Sequence, residues 1–534
     1  MLSFLRARSP QSPSPRPPLR DLRWDGRILS ATLDAAPRIA DVALELDGCF
    51  FSSAAVDVHN HAHFEFPFAP QADPVDAVLR QGRDGDRLTT EPLRLRFGEA
   101  GIHRERTDEV ASRPALTTLS SPSCIVPFGI DATAPEVAIV VPVYDAPEAV
   151  ERCLDSVLQH TAGRARLIVI DDASPNPAIS PLLARYTAFP RVVVLSNDAN
   201  RGFTATANRG IAEAGRADVV LLNADTQVGP NWLAGLRRAA YCADDVATAT
   251  AVSDNAGAFS VPELERENAL PACWTFDEAA RALWQGAGHA YPELPTGNGF
   301  CMYIRRTVID SIGVLDEAAF PQGYGEENDF CQRASAQGLR HLIAGNVLVH
   351  HARSQSFGHE RRASLGAAGM AVLRARWPRY EADVGATLHS YERCVLDWRV
   401  RRIFADANAG KRPRVRVLYA DRTIPSSAAH EAWHLDFDDT AAELRCGDEI
   451  VESSRTAHGA QASTDVSLTE PTLWRWLQEY AIEVVVAVDD APPALLQAAK
   501  SLGVPIAKAS VRTDAERAIA DAIASSRSFA ESTR

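Results

Sequence analysis

The sequence predicts an α/β core with an open parallel sheet, preceded by an all-β sandwich and followed by a small three-layer α/β domain. Three observations predict this order. Short alternating apolar runs fill residues 21–131, continuous apolar runs separated by helical patterns follow from Pro135, and a second strand and helix series begins beyond Arg412. The 534 residues are enough for roughly three domains of the usual ~100 to 200 residues each.

The bulk composition excludes several classes of function. A formal net charge of −14 argues against nucleic acid as the main partner, because phosphate binding rests on clustered Lys and Arg. The nine cysteines are scattered singly, which suggests neither a disulfide framework nor a thiolate zinc site and fits a reducing cytoplasm. No run approaches the ~18 consecutive apolar residues of a membrane span, so we expect at most peripheral membrane association.

The N-terminal region divides into a leader and a β-domain. Residues 1–20 are rich in Pro, Ser and Arg but lack the apolar centre of a signal peptide, so we interpret them as a disordered leader. Residues 21–131 carry runs such as ILSATLDA and VALELDG between Gly, Pro and Asp, which is typical of a β-sandwich. We expect this domain to bind glycan or to serve as a packing module.

Within the predicted sandwich, the stretch VDVHNHAHFEF has histidines at alternate positions, His59, His61 and His63. Alternate residues of a strand share one face. Three interpretations stay open: surface or half-buried strand histidines, a metal site, or the D-x-H-x-H opening of a metal-dependent amidohydrolase barrel. The barrel would need strand and helix repeats directly afterwards, and the following hundred residues do not supply them.

The α/β core is predicted over residues 132–390. The run VAIVVPVYD is typical of a strand buried on both faces of a parallel sheet. A helix is predicted over PEAVERCLDSVLQH, with Asp145 as candidate N-cap and Pro147 in its first turn. Further strands are predicted at RLIVIDDAS, RVVVLSN and DVVLLNADT, and another helix at TATANRGIAEAG.

Polar residues follow these predicted strands. An open parallel sheet binds its ligand beyond the carboxyl ends of its strands. The residues at such ends, and therefore candidates for ligand binding, are Asp171, Asp172, Asn223 and Asp225.

A second polar group lies in FPQGYGEENDFCQRA, where Glu326, Glu327 and Asp329 precede a helix-like run. A solvated helix N-terminus explains them if each acid gains roughly 0.3 to 1 kcal/mol from the helix dipole. A general base held at a loop-to-helix junction explains them equally well. The residues alone leave both interpretations open.

The third domain is predicted over residues 391–534. Strand and helix patterns alternate beyond Arg412, through VRVLYAD, EPTLWRWLQEYA, EVVVAVDD, APPALLQAAKSLG, VPIAKAS and a final helix to about Ser525. This region has no glycine-rich phosphate loop, so we expect an interaction or scaffold role and not a second nucleotide site.

Eight segments follow one another between about Val137 and Gly358: VAIVVPVYDAPEAVERCLDSVL, LIVIDDAS, NDANRGFTATANRGI, VLLNADTQV, SDNAGAFSVPEL, PTGNGFCMYIRR, GYGEENDFCQRA and VLVHHARSQSFG. In this order they resemble the motif series of family 2 glycosyltransferases. The resemblance covers some 40% of the chain. It implies the Rossmann-like GT-A fold for the core.

The resemblance also implies a function. It points to a metal-dependent hexosyl- or deoxyhexosyltransferase that moves a sugar from a nucleoside diphosphate sugar to a glycan or lipid-linked acceptor with inversion. Cell-surface polysaccharide biosynthesis is the implied process. The alternative is a non-catalytic carbohydrate-binding protein with a degenerate transferase core. A degenerate core should have lost Glu327 or Asp225, and the sequence keeps both.

A metal site is implied by two of the motifs. Family members use an acidic triplet to hold a divalent cation that stabilises charge on the leaving diphosphate. Here the triplet reads Asn223-Ala224-Asp225, so Asp225 is the implied metal contact and Asn223 a donor contact. The double histidine of VHHARSQSF implies His351 as second ligand, with His350 as the alternate. Carboxylate and imidazole together suit Mn²⁺ or Mg²⁺.

Nucleotide recognition is implied at the first two strand ends. Pro142 and Tyr144 would line the base pocket, and Asp172 would accept a hydrogen bond from a uracil or thymine imide, with Asp171 as the alternate. Three further residues are implied as nucleotide contacts, with turn or cap chemistry as the other interpretation: Asn200, Gly202 and Asn208.

The catalytic base is implied by GEENDF, which matches the family's E-D-x-D pattern over Glu326-Glu327-Asn328-Asp329. Glu327 takes the base position, with Glu where Asp is common. Nearby like charges would raise its pKa from the usual ~4.3 towards that of a better base. Glu326 is the alternate base, and Asp329 would cap the helix or orient the acceptor. The resemblance implies that three further residues border the acceptor side of the site, with a tight turn as the other interpretation: Gly297, Asn298 and Gly299.

Overall fold

The structure is a computed structural model that describes residues 19–24, 28–34, 39–46, 49–65, 75–82, 85–88, 93–98, 101–104, 136–289, 291–352, 359–388, 390–420, 426–437, 441–455, 470–487, 491–509 and 515–529. The chain divides into two compact units, residues 1–115 and 116–534. The predicted leader lies outside the described residues except for Leu19 and Arg20, which begin the first strand. Within the described ranges, no helix combines the length and apolar character that a membrane span requires.

The described part of the first unit consists of strands. They are Leu19–Trp24 (β1), Ile28–Leu33 (β2), Asp41–Leu46 (β3), Cys49–Ala55 (β4), His61–Glu65 (β5), Val75–Gln81 (β6), Leu93–Gly98 (β7) and Gly101–Arg104 (β8). They form two sheets of antiparallel neighbours, with the orders β1-β2-β5 and β4-β3-β6-β7-β8. Alternate residues of β2 are buried, namely Leu29, Ala31 and Leu33. The all-β character predicted for this region is confirmed.

The core of the second unit alternates strands and helices. Its first half comprises Val137–Val143 (β9), Pro147–His160 (α1), Ala165–Asp171 (β10), Ile179–Tyr186 (α2), Val192–Ser196 (β11), Phe203–Ala214 (α3), Asp218–Leu222 (β12), Thr226–Val228 (β13) and Trp232–Ala240 (α4). Its second half comprises Val246–Val252 (β14), Phe276–Gly286 (α5), Cys301–Ile304 (β15), Arg306–Ile312 (α6), Glu326–Ser335 (α7), Arg340–His351 (β16), His359–Arg376 (α8), Tyr380–Thr387 (α9) and Tyr391–Asn408 (α10).

One mixed sheet organises this core, with the strand order β11-β10-β9-β12-β15-β14-β16-β13. Strands β11, β10, β9 and β12 are parallel, as predicted, and β15 runs antiparallel to both β12 and β14. The carboxyl ends of the parallel strands therefore meet at one edge. The α/β core predicted from the sequence is confirmed.

Strand β9 is buried on both faces. Ile139 and Val141 face a hydrophobic cluster that includes residues of α1 and α4, whereas Val140 faces a second cluster with α3. A Cβ at Gly210 of α3 would lie 2.2 Å from Cγ1 of Val140, so the glycine allows this helix to approach the sheet closely. The continuous apolar run of VAIVVPV is explained by this two-sided packing.

The predicted N-cap of α1 is wrong by one residue. The helix begins at Pro147, and Ala146 is its N-cap without a side-chain cap hydrogen bond. Asp145 and Ala146 have φ values of 64° and 57°, so two consecutive residues are left-handed. The Asp145 carboxylate instead accepts the Ala146 N–H at 2.9 Å. This sharp turn separates β9 from α1, and such strain is often found at functional sites.

The C-terminal part of the second unit has a six-stranded sheet of its own. Its elements are Arg416–Tyr419 (β17), Glu431–Phe437 (β18), Ala441–Cys446 (β19), Glu449–Arg455 (β20), Glu470–Glu479 (α11), Val484–Ala487 (β21), Pro493–Leu502 (α12), Ile506–Lys508 (β22) and Ala515–Ser525 (α13), with the strand order β20-β19-β18-β17-β21-β22. Helices α11 and α12 cover one face and α13 the other. The predicted three layers are confirmed.

Helix α10 packs on the central sheet, because its residues Leu396, Val400 and Ile403 are buried in the same cluster as β9 and α1. The boundary predicted at residue 390 therefore falls at the start of a helix that completes this core. Beyond it, the carboxylate of Glu483 receives Arg281 Nε at 3.1 Å, which links the C-terminal sheet to α5.

Candidate active site

A cleft of about 330 Å³ lies at the carboxyl ends of β9, β10 and β12. Residues from eight separate stretches of the sequence line it. Those already singled out from the sequence are Pro142, Tyr144, Asp172, Asn200, Gly202, Asn223, Asp225, Asn298, Gly299, Glu326, Glu327 and His351. The structure therefore brings most of the predicted site residues together. Five others do not line this cleft: Asp171, Asn208, Gly297, Asp329 and His350.

Asp225 and His351 form a carboxylate and imidazole pair inside the cleft. Asp225 follows β12 and His351 ends β16, with Asp225 Oδ1 and His351 Nε2 separated by 3.3 Å. His351 Nδ1 lies 3.1 Å from the carbonyl oxygen of Asn255, so this nitrogen carries the proton and donates it. The other ring nitrogen, Nε2, therefore faces Asp225. Phe300 stacks on the imidazole, with 5.3 Å between ring centroids.

This pair has the chemistry of a metal site. A ligating histidine usually donates its other ring N–H to a carbonyl or carboxylate, which fixes the tautomer and the ring orientation, and the Asn255 carbonyl does this for His351. Oxygen and imidazole ligands together suit Mn²⁺ better than a thiolate-seeking ion. The residues present therefore fit the divalent cation that the sequence implied.

His350, the alternate ligand, faces away from the cleft. Consecutive residues of a strand point to opposite faces, so His350 and His351 cannot both line it. His350 Nδ1 lies 2.6 Å from Oδ2 of Asp254, and this contact raises the pKa of His350. Asp254 also accepts the His351 backbone N–H at 3.2 Å. Asp254, in the SDNAG motif, thus positions both histidines, a role that its sequence position alone did not indicate.

Asp172 organises the loop that borders the cleft. Its carboxylate is buried and accepts the backbone N–H groups of Arg201 and Gly202 at 2.8 and 2.9 Å. It also accepts Asn197 Nδ2 at 2.7 Å. Gly202 has a φ of 82°, and a Cβ there would lie 2.2 Å from the Pro321 carbonyl oxygen. The chain itself therefore supplies three donors to the group predicted to recognise the nucleotide base.

Asp171 and Asn208 have structural contacts away from the cleft. Asp171 Oδ1 accepts the Ser174 N–H at 3.0 Å, which closes a turn after β10. The Asn208 amide donates to the Leu315 carbonyl at 2.9 Å and accepts the Leu315 N–H at 3.1 Å. Asn208 thus joins α3 to the segment after α6. The turn and packing interpretation fits both residues.

The acidic stretch enters the cleft through a strained loop. Gly323, Tyr324 and Gly325 all have positive φ, at 87°, 68° and 141°. Helix α7 begins directly afterwards with Glu326 and Glu327, and both glutamates line the cleft. Glu326 is only 4% exposed, so the interpretation as a solvated helix N-terminus is wrong for it.

The two glutamates form a hydrogen-bonded acid pair. Burial raises the pKa of Glu326 well above its usual 4.5, and the charge of Glu327 raises it further. Burial also raises the pKa of Glu327, while the hydrogen bond with Glu326 lowers it. Both carboxyl groups therefore hold a proton more readily than they would in solvent, and the hydrogen bond between them raises the pKa of Glu326 and lowers that of Glu327. Oε2 of Glu327 is buried and has no hydrogen-bond partner among the described residues.

Asp329 has a different environment from the other two acids. It is fully buried, and its carboxylate accepts Arg333 Nε at 2.9 Å, Arg376 Nη1 at 3.1 Å and Trp377 Nε1 at 3.0 Å. These contacts fasten the end of α8 to α7. Asp329 therefore lies outside the cleft and stabilises helix α7, whose first residues are Glu326 and Glu327.

Several lining residues were not identified from the sequence, namely Phe203, Gln322 and Tyr324. The glycines on either side of Tyr324 were the available signal, because they allow the left-handed backbone that carries its side chain. The predicted turn glycine Gly297 donates its N–H to Cys331 Sγ at 3.1 Å. Residues 353–357 of the VHHARSQSF motif lie outside the described residues.

Residues 138–313 match the family model described as Glycosyl transferase family 2. The curated relative glycosyltransferase AglE of Haloferax volcanii is 27% identical over 103 residues, which are 19% of this chain and 34% of AglE. The succinoglycan biosynthesis protein ExoO of Rhizobium meliloti is 31% identical over 99 residues, 18% of this chain and 28% of ExoO. The chain thus spans about a third or less of the length of these relatives.

Among solved structures, the mannosyltransferase PcManGT from Pyrobaculum calidifontis, in complex with GDP-Man and Mn²⁺, aligns with 55% of this chain and 80% of its own length. The sequence identity is 18% and the TM-score is 0.37.

Proposed function

Because residues 138–313 match the Glycosyl transferase family 2 model, we propose that the protein transfers a sugar from a nucleoside diphosphate sugar to a glycan or lipid-linked acceptor with inversion. The observation that carries this proposal is that a candidate metal site and a pair of buried acids line the same cleft. Asp225 and His351 are 3.3 Å apart in it, and Glu326 and Glu327 line it as a hydrogen-bonded acid pair.

The donor diphosphate is the expected neighbour of Asp225 and His351. These residues would hold Mn²⁺, which, when bound, supplies positive charge that stabilises the departing nucleoside diphosphate. Asn223 lies two residues before Asp225 at the end of β12 and is available to the donor sugar or phosphates. Binding of the donor is therefore expected to depend on divalent metal.

The nucleotide is expected near Pro142 and Tyr144, which line the cleft next to the left-handed turn that follows β9. Asp172 would contribute mainly by holding the backbone of Arg201 and Gly202 in position. A loop fixed in advance loses little conformational entropy on binding, which favours affinity. Asp171 and Asn208 are not part of the proposal, because their polar atoms serve turn and packing contacts.

Glu327 would act as the general base. It would take the proton of the acceptor hydroxyl as that oxygen attacks the anomeric carbon on the face opposite the leaving diphosphate. A raised pKa makes the carboxylate a stronger base, and its buried unpartnered oxygen has lost the hydration that would weaken it. Glu326, in its protonated form, would hydrogen-bond to Glu327 and hold it in position.

The acceptor is proposed to be a growing surface polysaccharide or its lipid-linked precursor. The name of the relative ExoO refers to succinoglycan biosynthesis, which agrees with this proposal. With a lipid-linked acceptor, the protein would associate peripherally with the cytoplasmic side of the membrane, where nucleotide sugars are made.

The proposal is tested by turnover of a panel of UDP-, dTDP- and GDP-sugars with Mn²⁺ and pooled glycan or lipid-linked acceptors. Release of nucleoside diphosphate is measured first, and the anomeric configuration of the product is then determined by NMR. We expect one donor class to be consumed with inversion. Binding of donors without any release would favour the non-catalytic carbohydrate-binding alternative, and a retained configuration would refute Glu327 as the base of a single displacement.

A further inference from the structure

The first unit contains a cluster of three potential metal ligands that the transferase proposal does not use. One ligand atom each from Asp57, His61 and His63 lies within 4.8 Å of the others. Oδ2 of Asp57 is 3.8 Å from His61 Nδ1 and 3.7 Å from His63 Nε2. The three side chains are between 37% and 50% exposed, so an ion can reach them from solvent.

The position of Asp57 is set by a tight turn. Its Oδ1 accepts the backbone N–H groups of His59 and His61, both at 2.8 Å. The Asp57 N–H in turn donates to the His61 carbonyl at 2.8 Å, and Asn60 adopts a φ of 63°. One carboxylate oxygen therefore fixes the turn while the other, Oδ2, faces the two imidazoles.

The two histidines are held on one face of β5 by the strand and its neighbour. Between them Ala62 is fully buried on the opposite face, which fixes the side to which the histidines point. Ser30 of β2 is directly opposite His63, and its Oγ is 2.9 Å from His63 Nδ1. A proton on Nδ1, donated to this hydroxyl, leaves the Nε2 lone pair directed at Asp57, which is the usual arrangement around a ligating histidine.

We propose that Asp57, His61 and His63 bind a divalent transition metal of the zinc type. Tetrahedral Zn²⁺ with bonds of about 2.0 to 2.2 Å separates its ligand atoms by roughly 3.3 to 3.5 Å. The observed separations from Oδ2 exceed that range by a few tenths of an ångström, which small side-chain rotations remove. Two imidazoles and one carboxylate leave a fourth position to water, and the bound ion cross-links the turn to β5.

This proposal resolves the alternatives that the alternating histidines left open. The amidohydrolase barrel is wrong, because β5 pairs antiparallel with β2 in a three-stranded sheet. Unconnected surface histidines would not need the Asp57 turn or the Ser30 contact. The site also differs in ligands and location from the Asp225 and His351 pair of the second unit.

The test is a calorimetric titration of the full chain, prepared without a polyhistidine tag and stripped with a chelator, with ZnCl₂. We expect the wild type to bind one more equivalent of Zn²⁺ than the variant His63→Ala. Ser30→Ala should keep that equivalent and weaken its affinity by about 10 to 100-fold, as is typical for loss of a group that orients a ligand. Asp57→Asn, which keeps the turn-forming oxygen but removes the charge, should also lose the equivalent.

His59→Ala is the matched control, because His59 is an exposed neighbour, 6.4 Å from His61 between ring centroids, that the proposal excludes as a ligand. Its stoichiometry and affinity should equal those of the wild type. The proposal is overturned if the wild type and His63→Ala bind the same number of Zn²⁺ ions with the same affinity, or if His59→Ala removes the site. Circular dichroism in chelator checks that each variant is folded, and the visible spectrum of bound Co²⁺ reports tetrahedral ligation independently.

Discussion

The role of Glu327 as general base leads to a prediction for the substitution Glu327→Gln. The amide keeps the size and the hydrogen-bonding reach of the carboxylate but cannot accept the acceptor's proton. A positioned general base contributes about 10² to 10⁴-fold, which corresponds to roughly 2.7 to 5.4 kcal/mol of barrier. Because burial raises the pKa of Glu327 and leaves its Oε2 unpartnered, we expect a loss in the upper half of this range, about 10³-fold or more.

The assay for this prediction separates chemistry from binding. Initial rates of nucleoside diphosphate release give kcat, and calorimetry with the donor and Mn²⁺ gives the donor affinity. The base acts on the acceptor in the transition state, so donor affinity should change by less than about twofold. The unfolding temperature should not fall, because glutamine removes a charge that burial disfavours.

Two neighbouring variants serve as controls. Glu326→Gln keeps a hydrogen-bond donor next to Glu327 and should reduce turnover much less. Asp329→Asn changes a group outside the cleft and should keep the rate of each folded molecule. Glu327 is not the base if Glu327→Gln retains most of its rate while Glu326→Gln loses it, or if all three variants stay fully active.

Three further predictions concern residues around the cleft. Asp329→Asn should lower the free energy of unfolding by about 2 kcal/mol in urea titrations. This loss is smaller than that for a fully buried ion pair, because Arg333 and Arg376 are partly exposed. An unchanged urea midpoint would contradict this prediction. Folded Glu326 has a pKa above its usual 4.5, so the folded state binds its proton more tightly and stability declines as pH rises from about 4.5 through the folded pKa. Glu326→Gln should flatten that decline, and an identical slope in both proteins would show that Glu326 is not the responsible group. His351→Ala should weaken Mn²⁺ binding at least about tenfold, whereas His350→Ala should stay within about twofold of the wild type by calorimetry, and the reverse ranking would exchange their roles.

Much of the fold was accessible from periodicity. The two-sided burial of β9 produces the unbroken run VAIVVPV, and the helical spacing of α1 follows from its single buried face. Helix α2 and strands β14 to β16 were not predicted. Helix α2 is only eight residues long, and the three strands belong to the mixed part of the sheet, so neither gives a strong hydrophobic periodicity. The antiparallel edge β18 to β20 was missed for the same reason.

The motifs predicted which residues form the candidate site, but they did not predict the role of each residue in it. The family resemblance implied that Asp225, Glu327 and a histidine belong to one site, and the cleft brings them together. The resemblance already favoured His351 over His350, and the orientation of the strand, which places only His351 in the cleft, agrees with that preference. Asp329 accepts a hydrogen bond from Arg376, and Asp172 accepts one from the backbone of Arg201. Both partners are distant in sequence, so these structural roles could be found only from the folded chain.

The most direct test of the proposed site is calorimetric binding of nucleoside diphosphates to the full chain with Mn²⁺, with chelator, and in the variant Asp225→Asn. We predict that at least one of UDP, dTDP and GDP binds the wild type in Mn²⁺ and that chelator or Asp225→Asn weakens this binding by at least about tenfold. Asn keeps the size of the side chain, so the unfolding temperature in chelator should be unchanged. Equal affinity with Mn²⁺ and with chelator, or in Asp225→Asn and wild type, would contradict the metal-dependent donor site.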